Sequence, residues 1–485
     1  MEFHMNLSPE GSSRRREPDT ARHILFIAPF SDDNVAAARP VVKRPVMGLD
    51  PYDIDDVIGR LGPVIALDPG NPATNLSINR LEDFHPDSIC ATSPNLSRMT
   101  QLRRSLSKPG QQLDAVVAEI QQLFNEQHGG SEPPSMETRD PVADNVETDN
   151  DTMARLLGSS RASESSAQRK ASSAVERLIA TATEQTTTVD SDRTKQLGDE
   201  IDMLATLALR EILGNSSFQT VESSWRSIRW LAERMTEDIE CELSLFDLSF
   251  AQLEPLAEHE NDAAELKTHI VRQWRQRLAD EPPGLIVALY PLSTKPGALA
   301  VLRWLMDLAA EMGAPLVVGA DASLAGLTDL SSPRTFVDAS DLAKESDKRW
   351  NELRVHSAAD FTAVGFPQFV LRQPYGQKSD PIDSFNFEEL APQPDRSTFL
   401  WASSAIALAV VWMQMEAGEQ PLLQELPMVV YDDGSGQAIM PATEYYLSDS
   451  AETVLAGKGL STLRASRSTT DVKVQRLVPL GETRR

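Results

Sequence analysis

Residues 284–319 read GLIVALYPLSTKPGALAVLRWLMDLAAEMGAPLVVG. Leu285–Tyr290 is a continuous apolar run bounded by Pro283-Gly284 and Pro291, the pattern of a strand covered on both faces. A helix over Ala298–Met312 and a second such strand over Pro315–Gly319 complete a strand–helix–strand unit. Right-handed parallel pairing is the default for such a unit. The fold class expected from it is α/β (mixed α+β), and no internal repeat is visible.

Upstream, Phe218–Met235 reads FQTVESSWRSIRWLAERM. Its apolar residues Phe218, Val221, Trp225, Ile228, Ala232 and Met235 alternate spacings of three and four, which stacks them as one helical stripe. Trp230 and Leu231 widen the stripe, and Arg226, Arg229, Glu233 and Arg234 take the other faces. Burying each tryptophan is worth a few kcal/mol, so this helix requires a large partner surface. An amphipathic helix over Leu197–Leu213 precedes it, turned by Gly214-Asn215. After it, Cys241–Asp247 alternates as a strand does, and Pro255–Ala279 is mostly helical. Strands are expected at Phe369–Arg372, Met428–Tyr431 and Val472–Val478, with a buried helix at Leu400–Met415.

The first part of the chain is organised separately. Residues 1–21 read as a mobile arm. Residues 22–125 read as a small N-terminal α+β domain, with strands at Arg22–Phe30, Val41–Leu49 and Leu76–Leu81. Asp50 before Pro51 reads as the N-cap of a helix over Tyr52–Leu61, stopped by Gly62-Pro63. Further helices are expected at Asp87–Ala91, Leu96–Leu106 and Leu113–Phe124. Residues 126–193 form an acidic Pro/Ser-rich linker, whose stretch 126–151 has too little apolar surface to order itself. Within that linker Met153, Leu156 and Leu157 make one small amphipathic island. Residues 194–485 are the larger α/β domain.

A formal net charge of −26 over 485 residues argues against nucleic acid or an anionic membrane as an unaided partner. Cys90 and Cys241 are far apart, which excludes a CxxC site and fits a reducing cytoplasm. No apolar segment with a cleavage site follows the basic run Arg14–Arg16. The longest apolar run, Phe399–Met415, falls short of the roughly 20 residues a membrane helix needs. Glycine-rich phosphate loops, metal-binding histidine pairs and nucleophile elbows are all missing from the sequence. Asp432–Gly436 reads as a hairpin turn. The expectation is no enzyme, no cofactor and no metal.

Several stretches carry more specific wording. Phe218-Gln219, Glu222, Trp225-Arg226 and Arg229-Trp230-Leu231 spell FQ-x-x-E-x-x-WR-x-x-RWL. Trp350 and Arg354 stand as W-x-x-x-R. Residues 365–376 read GFPQFVLRQPYG, with Pro367, Arg372, Pro374, Tyr375 and Gly376, and Phe385-Asn386-Phe387-Glu388-Glu389 follow. Leu400-Trp401-Ala402, Glu425-Leu426-Pro427 and Pro441–Glu444 continue the series. In this order they resemble the large subunit of the bacterial type VI secretion contractile sheath. Ser227 stands where that family has Gly, and Gln368 where Arg is usual. The family continues past the point matching Val472–Leu480, whereas this sequence stops at Arg485, a departure that bears on the interleaved strands between neighbouring subunits. Shorter motifs, Arg44-Pro45, Leu49-Asp50, Tyr52–Val57 and Leu81–Asp87 with Asp83, Phe84 and Pro86, resemble the small sheath subunit.

The resemblance implies a fused small–large sheath protomer, or a sheath paralogue, that acts by assembly and contraction in the cytoplasm. It implies other sheath subunits as partners, in a homo- or hetero-oligomer, together with the inner-tube protein, the baseplate and a ring-shaped unfoldase ATPase. The ATPase contact would fall to Met153, Leu156 and Leu157. The alternative is a non-polymerising, sheath-derived adaptor or regulator at the baseplate or tube end, and a cytoplasmic hydrolase is the remote one. Arg372, Tyr375, Phe385 and Phe387 are read as core or intrachain contacts in preference to intersubunit ones.

Overall fold

The structure is a computed structural model. It describes residues 22–32, 40–68, 71–106, 190–235, 241–279, 281–327, 336–343, 348–391, 394–418, 422–432, 436–466, 470–474 and 477–481. The expected arm over 1–21, the helix over Leu113–Phe124, the linker as far as residue 189 and the island at Met153–Leu157 lie outside these residues.

β1 (Arg22–Ala28) comes first, then a 3-10 turn at Val41–Lys43 and β2 (Met47–Leu49). The strand expected over Val41–Leu49 is thus confined to its end, because Pro40 and Pro45 carry no N–H for a ladder. α1 (Ile54–Leu61) is capped by Asp53, whose side chain accepts from Asp56 N, and not by Asp50. Asp50 instead closes the preceding turn, its side chain accepting from Tyr52 N and its carbonyl from Asp53 N. Gly62, at φ 56°, ends the helix as expected. β3 (Val64–Ile65) and β4 (Leu76–Ser77) pair antiparallel. The strand expected to run to Leu81 stops early, because Asp83 accepts from Asn79 N and Arg80 N and winds Leu81–Phe84 into a 3-10 turn.

α2 (Pro86–Thr92), α3 (Pro94–Leu106), α4 (Asp190–Leu213) and α5 (Ser216–Ala232) follow. Next come β5 (Cys241–Asp247), α6 (Phe250–Ala257), α7 (Glu260–Leu278), β6 (Leu285–Leu292), α8 (Pro296–Met312) and β7 (Leu316–Ala320). The short α9 (Ala322–Ala325) and β8 (Phe336–Val337) lead to α10 (Lys348–Arg354), β9 (Thr362–Phe366), β10 (Phe369–Val370) and β11 (Trp401–Ala402). The remaining elements are α11 (Ser404–Glu416), β12 (Leu422–Leu423), β13 (Val429–Asp432), β14 (Gln437–Met440) and β15 (Tyr446–Leu447). α12 (Asp449–Gly457), β16 (Leu460–Ala465) and β17 (Val472–Val474) complete the list. The antiparallel register of β13 with β14 agrees with the hairpin read at Asp432–Gly436.

The described residues form two compact units. The first (residues 1–85, 213–380 and 388–485) contains a nine-stranded sheet in the order β12-β17-β16-β9-β7-β6-β1-β5-β2. Its six central strands, β16 to β5, are parallel, and β17, β12 and β2 are antiparallel to their neighbours. β1 lies between β5 and β6, paired from Arg22↔Cys241 to Ala28↔Asp247 on one side and from Ile24↔Leu285 to Ile27↔Ala288 on the other. β5 in turn lies between β1 and β2, so early and late segments of the sequence alternate across this half of the sheet.

Both faces of the sheet are covered. Leu25, Ile27, Ile286, Ala288, Val318 and Val364 join a core with residues of α6, α7, α8, α10 and α12. The alternate residues Ile24, Phe26, Val287, Val317 and Ala363 are equally buried and point to the other face, where α11 packs across β6, β7 and β9 and α5 packs on α11. The second unit (residues 86–212 and 381–387) holds α2, α3 and α4 as far as Ile212. Within it Arg103 Nε donates to Asp202 Oδ1 at 3.0 Å, and Asp87 accepts from the backbone of Asp383 and Ser384. Burial, together with the Asp87 charge, pushes the Cys90 thiol up to about 12.

Candidate functional site

The apolar stripe of α5 is buried as its spacing demands. Trp225 Nε1 donates to Phe30 O at 3.0 Å and its ring lies 4.9 Å from that of Phe30. Phe218 meets Phe84 edge-on at 5.6 Å. Trp230 packs on Phe369 at 5.0 Å beneath the Arg234 guanidinium. Glu222 and Arg226, one turn apart, leave this stripe and face the loop that follows β10.

That loop builds a closed set of charges. Glu222 Oε1 accepts from Arg226 Nε at 2.7 Å and from Arg372 Nε at 3.0 Å. The other edge of Arg372 grips Glu389 with both ends, Nη1 to Oε2 at 2.8 Å and Nη2 to Oε1 at 3.0 Å. Glu389 Oε2 also accepts from Tyr375 N at 2.7 Å, and Tyr375 O accepts from Glu389 N. The Arg372 guanidinium lies 4.4 Å over the Tyr375 ring, whose hydroxyl accepts from Arg226 Nη2 at 3.1 Å. Two carboxylates and two guanidiniums thus cancel, and the Glu222 side chain is wholly buried. Burial pushes the Glu222 carboxyl up, but Arg372 and Arg226 more than reverse this and hold it below the usual carboxylate range. Burial also weighs against the Arg372 charge, and Glu222 and Glu389 override it and raise its pKa well above the ordinary arginine value. Desolvation lifts the Tyr375 phenol to about 12.

Because the folded Glu222 value is depressed, its stabilising contribution is full above the ordinary value of 4.5 and is lost as the pH falls through the folded value. The melting temperature is therefore expected to fall more steeply on acidification below that value in the unsubstituted protein than in Glu222→Gln. Calorimetry at stepped pH checks this, and equal slopes would mean that folding does not depress the Glu222 carboxyl.

The other residues singled out in the sequence fall around this cluster or away from it. Gly376 N donates to Asp380 O, and a Cβ there would overlap the Glu388 carboxylate, which accepts from Gln377 N at 3.1 Å. Pro374 O accepts from Ser379 Oγ, and Pro367 follows a cis peptide bond. Trp350 Nε1 donates to Lys458 O at 3.0 Å and Arg354 Nε to Leu480 O at 3.1 Å, away from the cluster's hydrogen bonds. Trp401 Nε1 donates to Arg396 O. In the second unit Pro86 starts α2, Phe385 and Phe387 meet edge-on at 5.8 Å, and Asn386 is exposed. Glu389, which the sequence motif names only beside Glu388 and without a partner, is the carboxylate that clasps Arg372. Its signal was its place in the Glu388-Glu389 doublet, and only the backbone turn decides which member faces the arginine. Met153, Leu156 and Leu157 lie outside the described residues.

Among the described residues no group of three or more His, Cys, Asp and Glu is placed to hold a metal ion, and no helix is long and apolar enough to cross a membrane. The cluster can tie α5 to the loops at 372–376 and 388–389 in one geometry. A charge-neutral set of this kind, in which Glu222 Oε1 takes both arginines and Oε2 stays buried without a hydrogen-bond partner, suits mechanical fixation.

The family model described as EvpB/VC_A0108, tail sheath N-terminal domain, matches residues 195–475, more than half of the chain. The chain belongs to this family. A second model, described as type VI secretion system, VipA, VC_A0107 or Hcp2, matches residues 4–129. One polypeptide thus carries a small-sheath-subunit-like segment followed by a large-subunit-like one. The type VI secretion system sheath protein TssC1 of Pseudomonas aeruginosa (strain PAO1) is similar over 328 residues at 26% identity, covering 62% of this chain. The chain spans 65% of the length of that relative. β1 and β2 come from the first matched segment, and β5 and β6 from the second.

Proposed function

We propose that this chain is a structural protomer of a type VI secretion contractile sheath, with the small and large subunits supplied as one polypeptide. The observation that carries this reading is the alternation β6-β1-β5-β2, in which strands of the two matched segments build one sheet. The protomer works by assembly and rearrangement of surfaces, and no residue is assigned a catalytic role. Its partners are other sheath subunits, with the inner-tube protein, baseplate and unfoldase ATPase as finer assignments, the last through Met153, Leu156 and Leu157. The site of action is the cytoplasm. Expression in a bacterial host and negative-stain microscopy of the purified protein are expected to show long tubes. A persistently monomeric product, even beside the other proteins of its own operon, would overturn the protomer reading.

A further inference from the structure

β5 and β6 do not pair with each other, and the slot between them is filled by β1. Ladder hydrogen bonds are blind to side chains, and the apolar run Ile24–Ala28 would bury almost as well after a slip of two residues, since such a slip keeps every side chain on its own face. A polar anchor is needed to fix the strand's identity and register. Asp247, the last residue of β5 and the register partner of Ala28, supplies one. Its Oδ1 accepts from Phe30 N at 2.8 Å and Ser31 N at 3.1 Å, and its Oδ2 accepts from the Ser31 hydroxyl. Arg44 Nη1 donates to its backbone carbonyl at 2.7 Å and lies 3.7 Å from Oδ2. All these donors come from the early segment, and the Asp247 side chain is only 8% exposed.

We propose that Asp247 is the specificity-determining residue of a strand-capture site: the slot between β5 and β6 accepts a parallel strand whose exit presents two backbone N–H groups and a hydroxyl, and rejects one that brings an acidic side chain to position 31. In this protein the occupant is β1. The inference rests on the sheet alone and is independent of whether the chain polymerises.

A protease site placed within residues 126–151 and cut after folding leaves the first piece held without a covalent link. Exchange of that piece with a differently tagged, identically cut protein is then followed by pull-down over time. Ser31→Asp is expected to speed exchange about 100-fold, because it sets a second carboxylate beside a buried one. Adding Asp247→Asn is expected to bring exchange back to within about tenfold of the unsubstituted protein, a rescue that general weakening would not give. Glu258→Gln, at an exposed position, is expected to leave the rate unchanged. Unchanged exchange in Ser31→Asp, or no rescue, overturns the proposal. If Ser31→Asp does not fold, Ser31→Ala and Asp247→Asn are compared singly and together. Each is expected to cost about tenfold with the double variant less than additive, and strict additivity overturns the proposal.

Discussion

Removal of residues 1–49 is expected to leave the rest of the chain insoluble. β5 pairs with β1 over seven residues and with β2 over three, and in the sheet it has no other neighbour. Without those two strands β5 loses both ladders and β6 loses one side. Buried backbone N–H and C=O groups that lose their partners cost about as much each as a lost hydrogen bond, and here a whole strand of them is exposed at once. The bared edges are apolar, with Leu243, Leu245, Phe246 and Ile286 all buried in the intact sheet, and such edges template aggregation. The soluble fraction after expression is the measurement. Deleting residues 126–151 instead, where none of the described pairings falls, is expected to leave the protein soluble. A soluble, cooperatively melting product from the first deletion would show that β5 finds another partner.

Arg372→Ala is expected to lower stability by about 3–5 kcal/mol, the usual cost of removing one partner from a buried ion pair. The loss is large because the change strands Glu222 and Glu389 at once, and the Glu222 side chain is wholly buried. Arg372→Lys is expected to recover only part of the loss, since an ammonium cannot reproduce the two-ended grip on Glu389 while also serving Glu222. Urea titration with the Trp fluorescence midpoint measures both variants. A loss under about 1 kcal/mol for the alanine variant would place the cluster's strength elsewhere, in the packing of Tyr375 and its neighbours.

Much of this was legible before any coordinates. The β6–α8–β7 unit lies where the run Leu285–Tyr290, the helix and the second apolar run predict it. α5 buries Phe218, Val221, Trp225 and Ile228 as its spacing requires. Where two similar residues compete, local signals misplaced one choice and left the other open. Asp53, and not Asp50, caps α1, and Glu389, and not Glu388, clasps Arg372. Both choices turn on backbone direction within a few residues, which composition does not encode.

Periodicity and apolar runs determined by themselves that this chain makes covered parallel strands and amphipathic helices, because burial pattern is a local property of side-chain spacing. The order of the strands was decided only in three dimensions. HILFIA, at residues 23–28, reads identically whether its neighbours are close in sequence or more than two hundred residues away. Its place between β5 and β6 comes from Asp247, Phe30, Trp225 and the register of two ladders, all contacts between residues that the sequence keeps far apart.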